Sequence, residues 1–473
     1  MNQYWLAAPE IFLAGAICVV LLVDVFLKPE QRQLTYVLSM LALIGAAGFT
    51  IVATVSEPTV AFSGSFISDP AGGALKRIAY LIVALVFLYS RNHLAQNDLF
   101  KGEFFTLSLF GLLGIMVMIS AHSMLTMYLG LELLSLSLYA LVAFNRDSAV
   151  AAESAMKYFV LGAIASGMLL YGISLLYGVT GSIEFSALAS LLAGEEGLSL
   201  PAILGLVFIV IGVAFKFGAV PFHMWLPDVY QGAPAPVTLF VGTAPKIAAF
   251  ALSWRVLVEA LAPMQTSWQG MLVILCALSL VIGNVVAIAQ TNLKRMLAYS
   301  TISHVGFILM GFIAGTEIGI EAAMFYTMSY VLMAVAAFGM ILVLSRSGFE
   351  AERLDDFKGL NQRSPWFAWM MLFVVASMAG IPGTVGFFAK LSVLNALFDA
   401  GNIRLVVLGV VMAVVGAFYY LRVIRYMFFE EAEDHAPLSP AGDLRVVISI
   451  NSLALVALGV FPTVLIELCA RVL

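Results

Sequence analysis

Residues 215–238 read FKFGAVPFHMWLPDVYQGAPAPVT, and residues 377–398 read SMAGIPGTVGFFAKLSVLNALF. These two stretches decide the fold, because each places glycine and proline in the middle of a long apolar run. Proline removes a backbone donor and clashes with the preceding helical turn, so each stretch predicts a broken helix. The predicted helix-breaking residues are Gly218, Pro221, Gly380 and Pro382.

The composition places these broken helices in a membrane. Of 473 residues, 62% are hydrophobic and 11% are charged, and the mean hydropathy is +1.03. A soluble domain is about 45–50% apolar and about 25% charged, so the class of soluble globular proteins is excluded. The net charge is −5 and the basic residues lie in short connections rather than in blocks, which predicts no nucleic-acid partner.

The apolar runs predict an all-α polytopic membrane protein, because a helix needs about 20 apolar residues to cross a bilayer. No polar linker is long enough to separate soluble domains, so residues 1–473 are predicted to form a single membrane domain. Fourteen transmembrane helices are predicted, near residues 6–27, 34–54, 74–92, 104–120, 123–144, 153–178, 200–226, 236–261, 269–289, 296–315, 320–345, 364–399, 403–428 and 444–470.

The two broken spans are predicted helices seven and twelve. An odd offset of five helices makes them run in opposite directions across the bilayer, and paired interrupted segments of this kind are typical of transporters. We therefore predict two inverted five-helix repeats, at residues 104–261 and 269–428, with residues 6–92 and 444–470 outside them. The alternative is a pair of proline kinks that only accommodate helix packing.

The distribution of Lys and Arg predicts the orientation, because basic residues concentrate in cytoplasmic loops. Most of them fall on one side if the N-terminus faces outward, which predicts both termini on the periplasmic side of a bacterial inner membrane. The first apolar run lacks a basic n-region and carries Glu10 and Asp24, so we expect it to remain as helix one rather than to be cleaved.

Four ionisable residues lie deep in the predicted spans, where insertion costs at least roughly 2.5–3.5 kcal/mol per charge. Glu132 and Lys246 are near mid-helix, Lys216 precedes the first break, and Lys390 follows the second. Protonation of a buried amine can be switched by moving a nearby carboxylate, so a pair of Glu132 and Lys216 is predicted to be a proton-loading switch. The alternative is a static ion pair that holds helices five and seven together.

Other polar residues leave more than one interpretation open. Lys157 follows a glutamate by four positions, so it is either a relay group, a helical ion pair or a side chain that reaches the interface. His223 and His304 are candidate proton relays, because imidazole titrates near neutral pH, or hydrogen-bonded packing residues. Lys294 and Arg295 are interpreted as topology anchors at the inner boundary.

No metal or redox cofactor is predicted in this chain. Cys18, Cys276 and Cys469 are isolated, without CxxC or Cys/His spacing, and the five histidines are scattered. Neither a Rossmann glycine fingerprint nor a Walker loop is present in the sequence.

Five sequence blocks carry a resemblance that covers essentially the whole chain. They are YLGLELLSLSLYALVAF, KYFVLGAIASGMLLYG, FKFGAVPFHMWLPDVYQGAPAPVT, KRMLAYSTISHVGFILMG and AGIPGTVGFFAKL. They resemble the antiporter-like membrane subunits of NADH:quinone oxidoreductase (respiratory complex I), in particular the subunit N branch. The same family includes subunits L and M and the large subunits of multi-subunit cation/proton antiporters.

The resemblance implies fourteen helices, two inverted repeats and a proton path through Glu132, Lys157, Lys216, Lys246 and Lys390. A lysine rather than a glutamate at the helix-twelve position, and an end at Leu473 without a lateral helix, resemble subunit N more than M or L. The two break motifs do not superimpose, because Lys216 precedes its proline and Lys390 follows one.

The function implied is that of a non-redox, proton-translocating subunit of the quinone oxidoreductase, a translocase. The resemblance implies M-like, K-like and J-like membrane neighbours, with FMN, iron–sulfur clusters and quinone in other subunits. Two alternatives remain: a subunit of a multi-subunit Na⁺/H⁺ antiporter, and a structural spacer whose charges only stabilise packing.

Overall fold

The computed structural model of the chain describes residues 3–194, 199–346, 348–432 and 441–473, and nearly all of them are helical. The first eight long helices are α1 (Ala8–Phe26), α2 (Gln33–Ala53), α3 (Pro70–Gln96), α4 (Gly102–Ile119), α5 (Met124–Val142), α6 (Ala149–Thr180), α7a (Leu200–Phe217) with α7b (Trp225–Gly232), and α8a (Ala235–Val241) with α8b (Ala244–Ser253) and the π-helical turn Trp254–Ala260. The others are α9 (Gln265–Ile288), α10 (Leu293–Ala314), α11 (Glu317–Leu344), α12a (Pro365–Ala379) with α12b (Val385–Asp399), α13 (Ile403–Phe429), and α14a (Gly442–Val460) with α14b (Thr463–Val472).

Short elements mark the two faces of the helical bundle. The remaining helices are Gln3–Leu6, Pro29–Gln31, Phe185–Ala193, Ala262–Met264, Leu354–Phe357 and Leu360–Arg363, and the strands are β1 (Thr59–Ala61) and β2 (Phe66–Ser68). The antiparallel β1–β2 hairpin lies on one face, where it is bridged to Ala121, and we call this the hairpin face. Residues 345–346 and 348–364 lie on the opposite face, which we call the loop face.

The polytopic α-helical fold is confirmed. Among the described residues, 13 helices are long and apolar enough to cross a membrane. The fourteenth predicted span is α12, in which α12a is apolar but has only 15 residues. Because α12b continues after the break, α12a and α12b together make up this span.

Both predicted breaks are present and have the same local chemistry. Helix α7a ends at Gly218 with φ 77°, and α12a ends at Gly380 with φ 86°. Glycine adopts this left-handed conformation without the steric cost that a Cβ brings. Helix seven is therefore divided at the predicted break, with α7a ending at Phe217 and α7b beginning at Trp225.

Two other predicted helices are divided. The helix predicted at 236–261 is interrupted at Thr243, whose backbone is not helical and which is followed by Ala244 and then Pro245, a residue without an N–H. The helix predicted at 444–470 is interrupted at Phe461, because a residue before proline avoids the helical region. The hairpin and Phe185–Ala193 were not predicted.

The two halves pack in the same register. An added Cβ on Gly114 of α4 would lie 2.6 Å from the Leu134 nitrogen and 2.7 Å from the Gly130 oxygen of α5. In the second half, Gly283 of α9 has the same relation to Ser303 and Tyr299 of α10, at 2.7 and 3.0 Å. Every equivalent residue is 169 positions further on (114 to 283, 130 to 299 and 134 to 303). This shared register supports the prediction of two repeats.

Candidate functional site

Lys216 lies in the last turn of α7a, where the chain is about to leave the helix. It is buried, and its Nζ donates to Ser135 Oγ of α5 at 3.2 Å. A cavity of about 20 Å³ lies beside it and is also lined by Ser166 of α6. That volume is sufficient for one water molecule. Lys216 is thus linked to a neutral hydroxyl and to a potential water site.

The charges of Glu132 and Lys216 interact as predicted, but the two side chains do not form a direct ion pair. Glu132 Oε1 accepts a hydrogen bond from Ser166 Oγ, and within the described ranges Glu132 forms no ion pair with Lys216. Glu132 is one helical turn before Ser135 on the same side of α5, so its carboxylate reaches Ser166 of α6 while Ser135, one turn further on, contacts Lys216 of α7a. Because Ser166 contacts Glu132 and lines the same cavity as Lys216, the two charges are connected through serines and the cavity.

Lys246 and Lys390 occupy the breaks themselves. Lys246 of α8b is 1% exposed, and its Nζ donates to the Phe217 carbonyl at the end of α7a, at 2.7 Å. Lys390 of α12b is partly buried and donates to two carbonyls at the end of α12a, those of Ala379 at 2.7 Å and Met378 at 3.1 Å. The last carbonyls of a helix lack intrahelical partners and form its negative end, which stabilises a cation.

His304 lies in the middle of α10 among tyrosines. Its Nδ1 is 2.8 Å from the Tyr326 hydroxyl and its Nε2 is 3.1 Å from the Tyr420 hydroxyl. Lys390 Nζ lies 5.4 Å from the centre of the Phe307 ring, one turn further along α10. The structure therefore brings His304 to the part of α10 that Lys390 contacts. Sequence analysis missed both tyrosines, although each is a polar residue within an apolar span.

His223 and Lys157 lie elsewhere. His223, between α7a and α7b, is half-buried, and its ring centre is 6.5 Å from that of Tyr299 on α10. Lys157 is 45% exposed and forms ion pairs of 2.9 Å with Glu153 and with Asp228. The ion-pair interpretation of Lys157 agrees with this geometry, and Asp228 is a partner that sequence analysis did not identify.

Lys294, interpreted above as a topology anchor, is buried in an ion cluster that the sequence did not predict. It is 1% exposed, and its Nζ lies 2.6 Å from Glu352 and 3.2 Å from Glu350. The neighbouring Arg295 is 30% exposed and binds Asp228 at 2.7 Å. Both glutamates belong to the segment 345–364, whose density of acidic and basic residues was the available sequence signal.

A second unpredicted ion cluster lies on the hairpin face. Arg255 is fully buried between Asp69, at 2.5 Å, and Glu259, at 2.6 Å. It forms part of the wall of a cavity of about 590 Å³. All five donors of a guanidinium must be satisfied when it is buried, and the Ile119 carbonyl accepts a further bond at 3.2 Å.

The cysteines remain separate, and no metal site is formed within the described ranges. Cys276 is buried and its Sγ donates to the Gly306 carbonyl at 3.1 Å. All three cysteines are free, and no three His, Cys, Asp or Glu side chains of the described residues are grouped to hold a metal ion.

Comparisons with known proteins agree with this geometry. Residues 121–416 match the family described as NADH:quinone oxidoreductase/Mrp antiporter, TM. The NADH-quinone oxidoreductase subunit N of Thioalkalivibrio sulfidiphilus is 58% identical over 461 residues, which cover 97% of this chain and 96% of that protein. Its counterpart in Thiobacillus denitrificans is 55% identical over 471 residues, covering 100% and 98%.

The fold also matches a solved structure. A chain of respiratory complex I from Thermus thermophilus, solved with bound aureothin, superimposes with a TM-score of 0.83. It is 31% identical, and the match covers 97% of this chain and 98% of that one.

Proposed function

The chain belongs to the family of NADH-quinone oxidoreductase subunit N, and from this premise we propose that it carries protons across the membrane through Glu132, Lys216, Lys246 and Lys390. It is a multi-pass membrane subunit of a translocase, respiratory complex I. The redox chemistry is assigned to other subunits, which would hold FMN, the iron–sulfur clusters and quinone. The isolated positions of the three cysteines support that assignment.

One observation carries the proposal: within the described ranges, none of the three lysines is paired with a carboxylate. Lys216 donates to a serine, and Lys246 and Lys390 donate to backbone carbonyls. A lysine paired with a buried carboxylate leaves an unpaired charge when it loses its proton, at a cost of several kcal/mol. A lysine held by a neutral acceptor avoids that cost, so these three side chains are suited to exchanging protons.

The order of transfer follows from adjacency. A change of charge at Glu132 alters the energy of the proton on Lys216 through Ser166 and the small cavity. Lys246 binds the carbonyl of Phe217, the residue that follows Lys216, so it is the next acceptor. His304 with its tyrosine partners then leads towards Lys390 at the second break. Each charge moved against 100 mV requires about 2.3 kcal/mol, comparable to about 2.7 kcal/mol for two pKa units.

The setting of the subunit is proposed on the same premise. The basic loops support a bacterial inner-membrane orientation with the loop face in the cytoplasm and both termini in the periplasm. Other membrane-arm subunits are its partners, and we assign M-like, K-like and J-like neighbours. Lys157 is assigned to a peripheral role, because its ammonium is exposed and held by two carboxylates.

The test is Lys216→Ala in membrane vesicles that pump protons when NADH is added. Assembly is checked by native gel. Electron transfer upstream of quinone is measured with an artificial electron acceptor. We expect pumping and quinone reduction to fall at least about tenfold, because the barrier rises when a buried charge loses its site. The control is Lys101→Ala, which removes a half-buried lysine from the loop before α4. Unchanged pumping in an assembled Lys216→Ala complex would favour the spacer function.

The family description also covers Mrp antiporters, so a cation/proton antiporter subunit is the second candidate. Purification of the intact assembly separates the two. Flavin and iron–sulfur absorbance that copurifies with this chain supports the oxidoreductase subunit, and Na⁺/H⁺ exchange without electron donors supports the antiporter.

A further inference from the structure

A cluster of ionisable side chains on the loop face has no role in the path described above. Lys294 of α10 is enclosed by Glu350, Glu352 and the Ala233 carbonyl, at 3.2, 2.6 and 3.2 Å. His93 of α3 is 3% exposed, and its Nε2 lies 3.4 Å from Glu350 Oε1. The Nδ1 of His93 has no hydrogen-bond partner within the described ranges.

The charges of this cluster do not balance. Within the described ranges, one ammonium faces two carboxylates, and the only other titratable group in contact with them is the His93 imidazole. The other residues that line the adjoining cavity are uncharged, and the polar ones among them are Asn97, Asn145, Ser148 and Gln231. Two carboxylates that share one cation in a partly buried site favour retention of one proton, because both cannot ionise without repulsion.

The pKa shifts of the two loop carboxylates agree with this argument. Burial raises the pKa of Glu352, and the Glu350 carboxylate adds to the rise against the effect of Lys294. For Glu350, burial is outweighed by its contact with His93 and by the Lys294 charge, so the pKa of Glu350 is lowered. Of the pair, Glu352 is therefore the member that retains a proton closer to neutral pH.

The cluster is open to the aqueous side. It lies on a cavity of about 390 Å³ on the loop face, which has room for many water molecules. The side chains of Glu350 and Glu352 are 31% and 27% exposed, whereas that of Lys294 is 1% exposed. The two carboxylates thus stand between bulk water and a cation that is buried at the end of α10.

Helix α10 leads from this cluster towards the centre of the membrane. Thr301 and His304 follow Lys294 by seven and ten positions, so the three side chains lie on roughly one side of the helix, about 15 Å from end to end. Thr301 Oγ1 is 2.8 Å from the Tyr330 hydroxyl, and the Tyr330 ring lies 5.1 Å from that of His304.

A further polar group lies beside Thr301. The hydroxyl of Tyr230 on α7b is buried, and its neighbours are the hydroxyls of Thr301 and Tyr330. Tyr230 lies three residues before Ala233, whose carbonyl accepts from Lys294. It thus supplies a polar group between the cluster and Thr301.

We infer that Glu350 and Glu352, positioned by Lys294 and His93, take up protons from the loop face and pass them along α10 to His304. The inference rests on the proposed function, because an inlet is meaningful only if the chain carries protons. It adds a site of proton entry, which the path through Glu132 and the three lysines does not include. Lys294 acts as a positioning residue, since it holds both carboxylates at the cavity wall.

The experiment measures NADH oxidation by the purified assembled complex in detergent, with a soluble quinone, across a range of pH. In Glu350→Gln/Glu352→Gln, turnover should match that of the parent near pH 6 and fall to about a tenth of it near pH 8.5, because delivery then depends on free protons. Added imidazole, a mobile proton donor, should restore the rate. Asp355→Asn removes a carboxylate from the same segment, pairs only with Lys358 among the ion pairs described, and is the matched control.

Each outcome decides the inference. A loss that is equal at all pH values and is not restored by imidazole would show that the cluster only stabilises the fold, and an unchanged rate would show that protons enter elsewhere. If the double variant does not assemble, Glu352→Gln carries the same expectation, because Glu350 still pairs with Lys294. Lys216→Ala is measured in parallel. Normal turnover in Lys216→Ala would contradict the proposed function itself. Slow turnover in Lys216→Ala together with normal turnover in the double variant would contradict only the inlet.

Discussion

Helix α5 of the first repeat and helix α10 of the second pack against their neighbours in the same register, yet they carry different polar groups. The spacing of 169 positions pairs Glu132 with Thr301 and Ser135 with His304. Where the first repeat has the Glu132 carboxylate, the second repeat has the neutral hydroxyl of Thr301. Ser135 accepts a hydrogen bond from Lys216, and its equivalent in the second repeat is His304. The His304 imidazole is hydrogen-bonded to two tyrosines.

The two breaks differ in a related way. At the first break the carbonyl of Phe217 is bound by Lys246, from the next helix, and Gly218 is buried. At the second, the carbonyl of Ala379 is bound by Lys390, from the following half of the same helix. Ile381 is 40% exposed there, so the second break opens to the surface of the chain, where lipid or a partner subunit adjoins it.

This comparison separates scaffold from chemistry. Identical glycine contacts and left-handed glycines build both repeats, so packing alone does not require a charge at either position. The first repeat places a carboxylate near its lysines, which suits it to respond to a change of charge. The second repeat places a histidine near Lys390, which suits it to relay a proton.

The largest effect on proton pumping is expected when Glu132 of the first repeat is replaced by threonine, the residue at the equivalent position of the second. Glu132→Thr removes the carboxylate that Ser166 links to the Lys216 cavity, so NADH-driven pumping should fall at least about tenfold, comparable to loss of a general acid–base group. Glu132→Asp should retain most of the activity. Ser137→Ala on the same helix serves as the control, because among the described residues the Ser137 hydroxyl donates only to the Leu133 carbonyl of α5, and it should change pumping far less. Equal losses in Glu132→Thr and Ser137→Ala would contradict the role given to the carboxylate of the first repeat.

A smaller effect is expected at the second break, where a matched pair of glycines is available. Gly380 and Gly383 have φ 86° and 91°, so alanine at either position costs about 1–2 kcal/mol of backbone strain. An added Cβ on Gly380 would lie 3.0 Å from Lys390 Cδ, whereas one on Gly383 has nothing within 4 Å. Both variants should reduce the half-life of the purified complex to a similar extent. Only Gly380→Ala should slow pumping several-fold, and equal pumping rates would indicate that the position of Lys390 is not critical.

Much of this architecture could be predicted from the sequence, and the exceptions share a cause. Hydropathy and the Gly/Pro positions predicted the spans and both breaks, because backbone chemistry and membrane thickness act locally. The depth of Lys246 could be predicted by counting residues along its helix. The partners could not, since they depend on which side chains of distant helices face one another.

Two residues illustrate that limit. Glu132 was expected to pair with Lys216, but Lys216 lies level with the next turn of α5 and donates to Ser135 instead. Lys294 was interpreted as an anchor because it lies at a helix boundary, yet the segment 345–364 folds over it and encloses it. In both cases long-range packing, rather than local sequence, determines the contact.

The smallest effect is expected at Lys157, whose equivalent in the second repeat is Tyr326, 169 positions further on (157 to 326). Lys157 is exposed and its partner Asp228 keeps Arg295, so Lys157→Ala should change pumping by less than about twofold, as expected for an exposed ion pair. Tyr326→Phe removes the hydroxyl bonded to His304 Nδ1 and should slow pumping more than Lys157→Ala does. Proton pumping in vesicles with equal amounts of assembled complex ranks the two variants. If Lys157→Ala instead stops pumping as completely as Glu132→Thr, the exposed lysine belongs to the path, and the first repeat takes up protons along α6.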